Sequence, residues 1–500
     1  MSEIRLLLGQ TFWYGLSSLF ARFLNYLLTP YLTSVLLQAD YGEMSIVYAA
    51  IPFFMVVFMQ GLETAYFRFS RSKTDEERVY NTTSIWLIIS TLLLFLVLIG
   101  FKNGIASLMK IKEHPEYVTM SACIIVLDTL CSLSFTRLRF HSRPRKFAFI
   151  KITSILVNIV LVIFFISVCP WLKKNHPGNF LLLFYDEKIG LGYIFIANIF
   201  QSAFCLLLLW KEFFSFKLQF DVELWKKIML YSLPLIVIGI CNAINETADR
   251  IMLGWWSQSA NIDSVKEEVA TYSACSKLSA LIAITIYAFR LGAEPFFFKA
   301  ANNSGSRDVY GRVMNFFVIA LCAMFLAVSF NLDIFKHFIQ NPNMWPGLKA
   351  VPVMLMANIF LGINYNLSIW FKLKNRTSAG ALINIAGACI TIAVNYFFIP
   401  AYGYMACAWA SVCCYGSMVI ISYLWGQVEY PIKYPVLKVS FYISLSIILY
   451  FIYNILNKIY LNSVFSFIVS AALFILFCLI VYKIENKEFK KIAFFRKIKI

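Results

Sequence analysis

Four basic residues lie inside long apolar stretches of the sequence, where a charged side chain is unfavourable. They are Arg22, Arg250, Lys277 and Arg290. An arginine or lysine at the centre of a membrane helix costs an apparent ~2.5–3.5 kcal/mol, so its presence indicates a role in binding or transport. We expect Arg22 and Arg290 to line a polar cavity and bind an anion. The alternative for Arg22 is a structural pair with a carboxylate on another helix.

A polar stripe accompanies Arg250 in the sequence. Asn242, Asn245, Glu246 and Asp249 recur at helical spacing, which places them on one face of a helix. Glu246 and Arg250 are also four residues apart, the spacing at which opposite charges on a helix can pair. We expect the stripe to form one wall of a translocation cavity, with a carboxylate that responds to a cation or a proton. A self-satisfied helix patch is the alternative.

Other charged residues near apolar runs have two interpretations each. Arg68 and Arg71 follow Glu63 at the end of the second apolar run, where basic residues commonly anchor a protein at the cytoplasmic membrane surface. The sharper hypothesis is a basic mouth that draws in a phosphate-bearing head group. Asp128 is a lone carboxylate in an apolar run, and either an arginine partner or an ion site would explain it.

These residues require a membrane-spanning helical scaffold. The 500 residues are 60% hydrophobic and only 14% charged. Soluble domains are roughly 45–50% apolar and about 25% charged, so a soluble enzyme is excluded. A bilayer span needs about 20 apolar residues, and about fourteen such runs are present. They are 11–37, 44–67, 83–101, 117–136, 148–169, 189–210, 228–254, 270–292, 313–331, 350–370, 379–399, 403–425, 439–456 and 462–482. No separate soluble domain fits between them.

The net charge of +18 follows the membrane layout. With the N-terminus inside, about thirty of the 44 lysines and arginines fall on the cytoplasmic side and about ten on the other, as the positive-inside rule requires. The sequence therefore predicts a multi-pass membrane protein with both termini cytoplasmic. The charge does not indicate nucleic-acid binding. The alternating basic and apolar residues of 483–500 predict an interfacial anchor on membrane lipids.

Several activities lack their sequence signals. The four histidines and 12 cysteines show no metal-ligand spacing, and no phosphate-binding loop of the G-x-x-x-x-G-K-[ST] type occurs. We therefore expect no cofactor, no metal and no enzymatic activity. A membrane-embedded polysaccharide polymerase or glycosyltransferase is a weaker alternative, because the longest outer loop carries only Asp186 and Glu187 as acids.

A weak internal repeat predicts the domain organisation. The segment Thr29-Pro30-Tyr31-Leu32 that closes the first run and Asp249-Arg250-Ile251-Met252-Leu253-Gly254 that closes the seventh are both followed by a short loop. Six helices separate them, which corresponds to a parallel repeat about an axis normal to the membrane. The expected units are an N-lobe at 1–215, a C-lobe at 216–425, two additional helices at 426–482 and a basic tail at 483–500.

Three segments carry a resemblance to a known family. They are Phe12-Trp13-Tyr14-Gly15-Leu16-Ser17-Ser18 with Arg22 and Thr29-Pro30, then Asp40-Tyr41-Gly42, and Leu233-Pro234-Leu235 with Asp249-Arg250-Ile251-Met252-Leu253. They resemble bacterial polysaccharide flippases, the O-antigen and capsule branch of the multidrug/oligosaccharidyl-lipid/polysaccharide exporter superfamily. The resemblance implies an all-α fold of two six-helix lobes around a cavity that opens alternately to either side. It also implies that Arg22, and less directly Arg290, contacts a lipid diphosphate.

The expected function is translocation of polyprenyl-diphosphate-linked oligosaccharide units for surface polysaccharide biosynthesis. Substrate binding is expected at Arg22, Arg290, Arg68 and Arg250. Cavity lining or coupling is expected at Asn242, Asn245, Glu246 and Asp249. The expected partners are the lipid-linked oligosaccharide, membrane lipids and other polysaccharide-assembly proteins. The main alternative is a drug/cation antiporter of the same fold.

Overall fold

The protein is a bundle of long helices. The computed structural model describes residues 19–20, 22–70, 73–300, 306–374, 376–459 and 463–489, and no strand occurs among them. The long helices are α1 (22–35), α2 (Gln38–Met59, continued by Leu62–Phe69), α3 (Lys73–Gly100), α4 (Pro115–Phe140), α5 (Pro144–Ile163, continued by Phe164–Val168 and Cys169–Asn175), α6 (Gly192–Leu208), α7 (Val222–Trp256), α8 (Ile262–Ala300), α9 (Ser306–Phe330), α10 (Val351–Leu367, continued by Ile369–Leu373), α11 (Thr377–Tyr402), α12 (Tyr404–Glu429), α13 (Val436–Ile459) and α14 (Ser463–Phe489).

The described part of each predicted apolar run overlaps one of these helices. Within the described residues, 12 helices are long and apolar enough to cross a membrane. The two others are α1, which is described over 22–35, and α6, an apolar helix of 17 residues. Lipid offers no hydrogen bonds to the backbone, so a chain this apolar satisfies its peptide groups within helices. The predicted all-α membrane fold is confirmed.

Local signals set the ends of the helices that carry polar residues. α7 begins after Asp221, whose carboxylate accepts a hydrogen bond from the Leu224 backbone N–H at 2.9 Å. This bond, together with the Arg78 guanidinium, lowers the pKa of Asp221 from its usual 3.8. α4 and α5 begin with Pro115 and Pro144, which suit the first turn because its N–H groups have no intrahelical partner.

α2 is interrupted where it crosses α7. Gln60 and Gly61 adopt left-handed conformations, with φ of 51° and 68°. A Cβ at Gly61 would lie 3.0 Å from the Cβ of Leu235 in α7. Glycine therefore meets two requirements at this position, a positive φ and a close helix contact.

The helices form two lobes of six with two helices appended. In the N-lobe (α1–α6), α6 packs on α4 and α5. In the C-lobe (α7–α12), α12 packs on α10 and α11, and α7 packs on α11. α13 and α14 pack on α9, on the outside of the C-lobe. The lobes meet through α2, which contacts both α7 and α8.

The two ends of the bundle differ in charge. We call the end that carries Ser70, 141–143 and 214–221 the basic end, and ion pairs such as Arg137–Glu76 (3.0 Å) and Lys146–Glu212 (2.6 Å) lie there. The opposite end, which carries 36–37, 101–114 and 257–261, is called the distal end. That the basic end faces the cytoplasm stays a prediction from the charge distribution.

At the distal end the lobes are in close contact. A Cβ at Gly42 of α2 would lie 1.8 Å from the carbonyl oxygen of Lys266 in α8. The Lys266 ammonium donates a hydrogen bond to Glu43 Oε2 at 2.6 Å, and these side chains are 10% and 5% exposed. Gln38 Nε2 donates to Thr271 Oγ1 at 3.0 Å. A buried ion pair and a glycine contact thus join the lobes there.

Candidate functional site

A cavity of about 360 Å³ lies against α7, α8, α10 and α12 and is closed on one side by Arg22 of α1. We call it the C-lobe chamber. More of the charged side chains that line this chamber are basic than acidic. The basic residues are Arg22, Arg250, Lys277 and Arg290, and the acidic residues are Glu246 and Asp249.

Arg22 and Arg290 converge on one aromatic ring although they come from different lobes. The guanidinium carbon of Arg22 lies 4.4 Å from the ring centroid of Tyr287 in α8, and that of Arg290 lies 5.4 Å from the same ring. Arg290 is also 5.1 Å from the Tyr365 ring. Among the described side chains, neither guanidinium has a carboxylate oxygen within 4.0 Å. Two guanidinium groups held on aromatic faces therefore retain hydrogen-bonding capacity for an anion.

Arg250 has a partner of its own. Its Nη1 donates to Asp249 Oδ1 at 2.9 Å, and its Nη2 donates to Ser276 Oγ at 2.9 Å. The Tyr272 hydroxyl donates to the other Asp249 oxygen, Oδ2. The Glu246–Arg250 side-chain pair that the spacing permits does not form; Arg250 pairs with Asp249 instead. Only the Glu246 backbone oxygen contacts Arg250, at 3.4 Å, because contacts with α8 draw the guanidinium toward Asp249.

Glu246 is the unpaired acid of the C-lobe chamber. Its side chain is exposed to the chamber, and the cations that act on it electrostatically are Arg22 and Arg290. Among the described residues none of its side-chain oxygens has an ion pair within 4.0 Å. The acid therefore faces the two arginines without neutralising either of them through direct contact.

The two asparagines of the polar stripe have different surroundings. Asn245 is buried in the chamber wall, and its Oδ1 accepts a hydrogen bond from Thr391 Oγ1 of α11 at 3.3 Å. Asn242 is exposed one turn earlier on α7 and does not line the chamber. The expected single wall is thus formed by Asn245, Glu246 and Asp249, and the expectation for Asn242 is not met.

Arg68 is not close to the other expected binding residues. Its guanidinium carbon lies 4.4 Å from the ring centroid of Tyr231, where the end of α2 meets α7. Its side chain is exposed and does not line the C-lobe chamber. Arg71 falls outside the described residues. A basic mouth at this position stays a hypothesis that rests on the sequence.

A second cavity, of about 440 Å³, lies among α1, α2, α4, α5 and α6. We call it the N-lobe chamber. Arg22 and Tyr287 line it as well, so the two chambers share a border. Asp128 contributes to its wall and accepts a hydrogen bond from Ser202 Oγ at 2.7 Å. Of the two alternatives for Asp128, the arginine partner is not found among the described residues, and an ion site stays a hypothesis.

Sequence reasoning missed Lys151, and it also missed Tyr287. Lys151 follows the basic segment 143–146, which is typical of a cytoplasmic anchor, but it lies in α5 and lines the N-lobe chamber. Its position seven residues after Pro144, about 10 Å along the helix, is the signal that would have indicated this. Tyr287 lies three residues before Arg290, on the same helical face.

The sequence of the first part of the chain matches a family model. Residues 7–300 match the model of the polysaccharide biosynthesis protein family. The chain belongs to this family. No curated protein matches it in sequence.

Solved structures place this polysaccharide biosynthesis family member in the fold of the exporter superfamily named above. The lipid II flippase MurJ in an inward closed conformation is 13% identical, with a TM-score of 0.72 over 94% of this chain and 98% of that chain. An inward-facing multidrug resistance MATE transporter is 14% identical, with a TM-score of 0.62 over 84% and 94%. An outward-facing one is 16% identical, with a TM-score of 0.57 over 85% and 94%. At these identities the likeness establishes the fold.

Proposed function

We propose that this protein is a flippase that translocates polyprenyl-diphosphate-linked oligosaccharide units across the cytoplasmic membrane by alternating access, for surface polysaccharide biosynthesis. The observation that carries the proposal is the convergence of Arg22 and Arg290, from different lobes, on Tyr287. A chamber within the membrane with more basic than acidic side chains suits a diphosphate, and arginine forks match phosphate oxygens in geometry.

The head group enters the chambers while the lipid tail stays in the bilayer. The diphosphate lies between Arg22 and Arg290 and displaces their interaction with Glu246. The tail leaves through a gap between the lobes, since its transfer into a polar chamber would expose apolar surface. Rocking of the lobes about the bound diphosphate then exposes the head group on the other side.

The ion pair of Asp249 and Arg250 has a structural role in this proposal. Because Asp249 is engaged by Arg250 and Tyr272, the acid that remains available to respond to a proton or cation is Glu246. Moving one charge across the membrane is worth about 2.3 kcal/mol per 100 mV, so coupling through a single group is energetically meaningful.

The decisive experiment is a matched set of arginine variants in a strain that lacks its own copy of the gene. Arg22→Ala is expected to lower surface polysaccharide by at least about ten-fold, because it removes charge-assisted hydrogen bonds to the diphosphate. Arg22→Lys is expected to retain part of the activity. Lipid-linked repeat units should accumulate in the inner leaflet of the Arg22→Ala strain.

Arg145→Ala is the control, since Arg145 is exposed at the start of α5 and lines neither chamber. It should support normal polysaccharide. Wild-type polysaccharide from Arg22→Ala at normal protein levels would contradict diphosphate binding. If Arg22→Ala also left activity intact while Glu246→Gln abolished export of a cationic drug, the antiporter function would be favoured.

A further inference from the structure

The N-lobe chamber has a cation that the proposed function leaves unused. The Lys151 side chain is half-buried, and its ammonium lies 4.4 Å from the ring centroid of Phe135. Among the described residues no carboxylate oxygen lies within 4.0 Å of it. The neighbouring cation differs in this respect, since Arg139 Nη2 donates to Glu63 Oε2 at 2.7 Å. A lysine inside an apolar helix without an ion pair indicates a ligand.

The rest of the chamber wall carries hydrogen-bonding groups of the kind that bind sugar hydroxyls. The side-chain amides of Asn25 and Gln201 line it, and neither has a hydrogen-bonding partner among the described residues. Asp128 presents a second carboxylate oxygen beyond the one that accepts from Ser202. Amides and carboxylates are suited to hydroxyl recognition because they donate or accept in pairs.

The position of the chamber fits the part of the substrate that follows the phosphates. It shares Arg22 and Tyr287 with the C-lobe chamber, so a sugar linked to a diphosphate at Arg22 reaches it directly. Its volume of about 440 Å³ lies within the range of small-ligand sites. With Arg139 neutralised by Glu63 and Arg22 assigned to the diphosphate, the remaining charges of the wall are Lys151 and Asp128.

We propose that the N-lobe chamber binds an acidic sugar of the lipid-linked glycan, with the Lys151 ammonium pairing its carboxylate and Asp128 accepting hydrogen bonds from its hydroxyls. This inference rests on the proposed flippase function and adds the class of glycan. Asn25 and Gln201 orient the sugar ring. The lysine thereby gains a direct carboxylate contact, which no described residue provides within 4.0 Å.

The test compares two synthetic lipids that differ in one group. Both are polyprenyl diphosphates carrying a disaccharide, one ending in glucuronic acid and the other in glucose. Binding to the purified full-length protein in detergent is measured by native mass spectrometry, and translocation is measured in proteoliposomes. The wild-type protein is expected to prefer the glucuronic acid lipid by about ten-fold or more, the effect of one partly buried charged hydrogen bond.

Variants then identify the residue that is responsible for the preference for the glucuronic acid lipid. Lys151→Gln is expected to abolish it, and Lys151→Arg to keep it. Lys227→Gln is the matched control, because Lys227 is an exposed lysine of α7 that lines neither chamber. It should leave the preference unchanged. Asp128→Asn should weaken binding of both lipids to similar extents.

The outcomes separate this inference from the proposed function. Equal binding of both lipids by the wild-type protein, with Arg22→Gln weakening both, would overturn the acidic-sugar assignment and leave the flippase function standing. A preference that survives Lys151→Gln would also overturn the assignment. Failure of the wild-type protein to bind either lipid would overturn both proposals. The comparison of the two lipids with the wild-type protein tests the acidic-sugar assignment even if Lys151→Gln does not fold.

Discussion

Two acids on α7 lie one turn apart and have different surroundings. Asp249 is hydrogen-bonded through both oxygens, to Arg250 and Tyr272, and its side chain is 10% exposed. Glu246 faces the C-lobe chamber and contacts no cation directly among the described residues. The sequence places both on the same polar stripe, and the neighbouring helix α8 makes the difference between them. Their substitution should therefore affect different properties of the protein.

Asp249→Asn should destabilise the protein, whereas Glu246→Gln should not. Removing one partner of a buried ion pair leaves the other charge uncompensated and costs roughly 3–5 kcal/mol. We expect Asp249→Asn to lower the melting temperature in detergent, measured by intrinsic fluorescence, and the double variant with Arg250→Gln to recover part of it. Glu246→Gln should melt like the wild type and change only the transport rate. Equal melting temperatures for Asp249→Asn and the wild type would contradict a structural role of the pair.

At the scale of the helices, close contacts depend on single glycines. α2 approaches α8 so closely at Gly42 that a Cβ would overlap the Lys266 carbonyl, which belongs to the backbone and cannot move aside alone. The α2–α8 contact at the distal end is therefore intolerant of any side chain at this position.

Gly42→Ala should destabilise this contact. Overpacking costs typically 1–3 kcal/mol, so we expect a lower melting temperature and weaker contact between the lobes at the distal end. Gly416→Ala is the matched control, since Gly416 also lies inside a long helix and has no heavy atom within 4 Å of an added Cβ. An alanine there should be neutral or slightly stabilising, by up to about 1 kcal/mol. Equal effects of the two substitutions would show that helix propensity, and not the α2–α8 contact, sets the change in melting temperature.

The sequence predicts these helices well and their contacts poorly. Lipid requires about 20 apolar residues per span, so the helices could be located from composition alone. The charged residues could be placed in a helix but not assigned partners, because i, i+4 spacing permits a Glu246–Arg250 pair that contacts with Tyr272 and Ser276 of α8 prevent. The role of Lys151 is hidden for a similar reason, because a position near a basic loop does not indicate the cavity that the side chain lines.

For the molecule as a whole, the distal end joins the two lobes through a buried ion pair. Glu43 belongs to α2 of the N-lobe and Lys266 to α8 of the C-lobe, so any motion that separates the lobes at this end breaks the bond between them. The charges would then gain hydration, which offsets part of the loss. The pair thus biases the population of lobe arrangements without fixing one of them.

Lys266→Gln should open the distal end more often. We expect amide hydrogen exchange of segments 38–44 and 262–271 to accelerate by at least about ten-fold, because the remaining Glu43 charge favours the hydrated arrangement. The charge-swapped double variant Glu43→Lys with Lys266→Glu should restore slow exchange. Lys336→Gln is the control, since its pair with Asp333 at 2.8 Å involves an acid that is 73% exposed and contributes little. Unchanged exchange in Lys266→Gln would exclude a role of the pair in holding the lobes together.

The contact between Arg22 of α1 and Tyr287 of α8 also joins the two lobes. The Arg22 guanidinium lies on an aromatic ring of the opposite lobe, so this contact joins α1 to α8. An anionic head group that draws the guanidinium away from the ring removes that restraint as it binds. In the proposed flippase, Arg22 would then both bind the head group and release the contact between the lobes. The protein without substrate would keep this contact, which would limit conformational cycling and leakage in the absence of substrate.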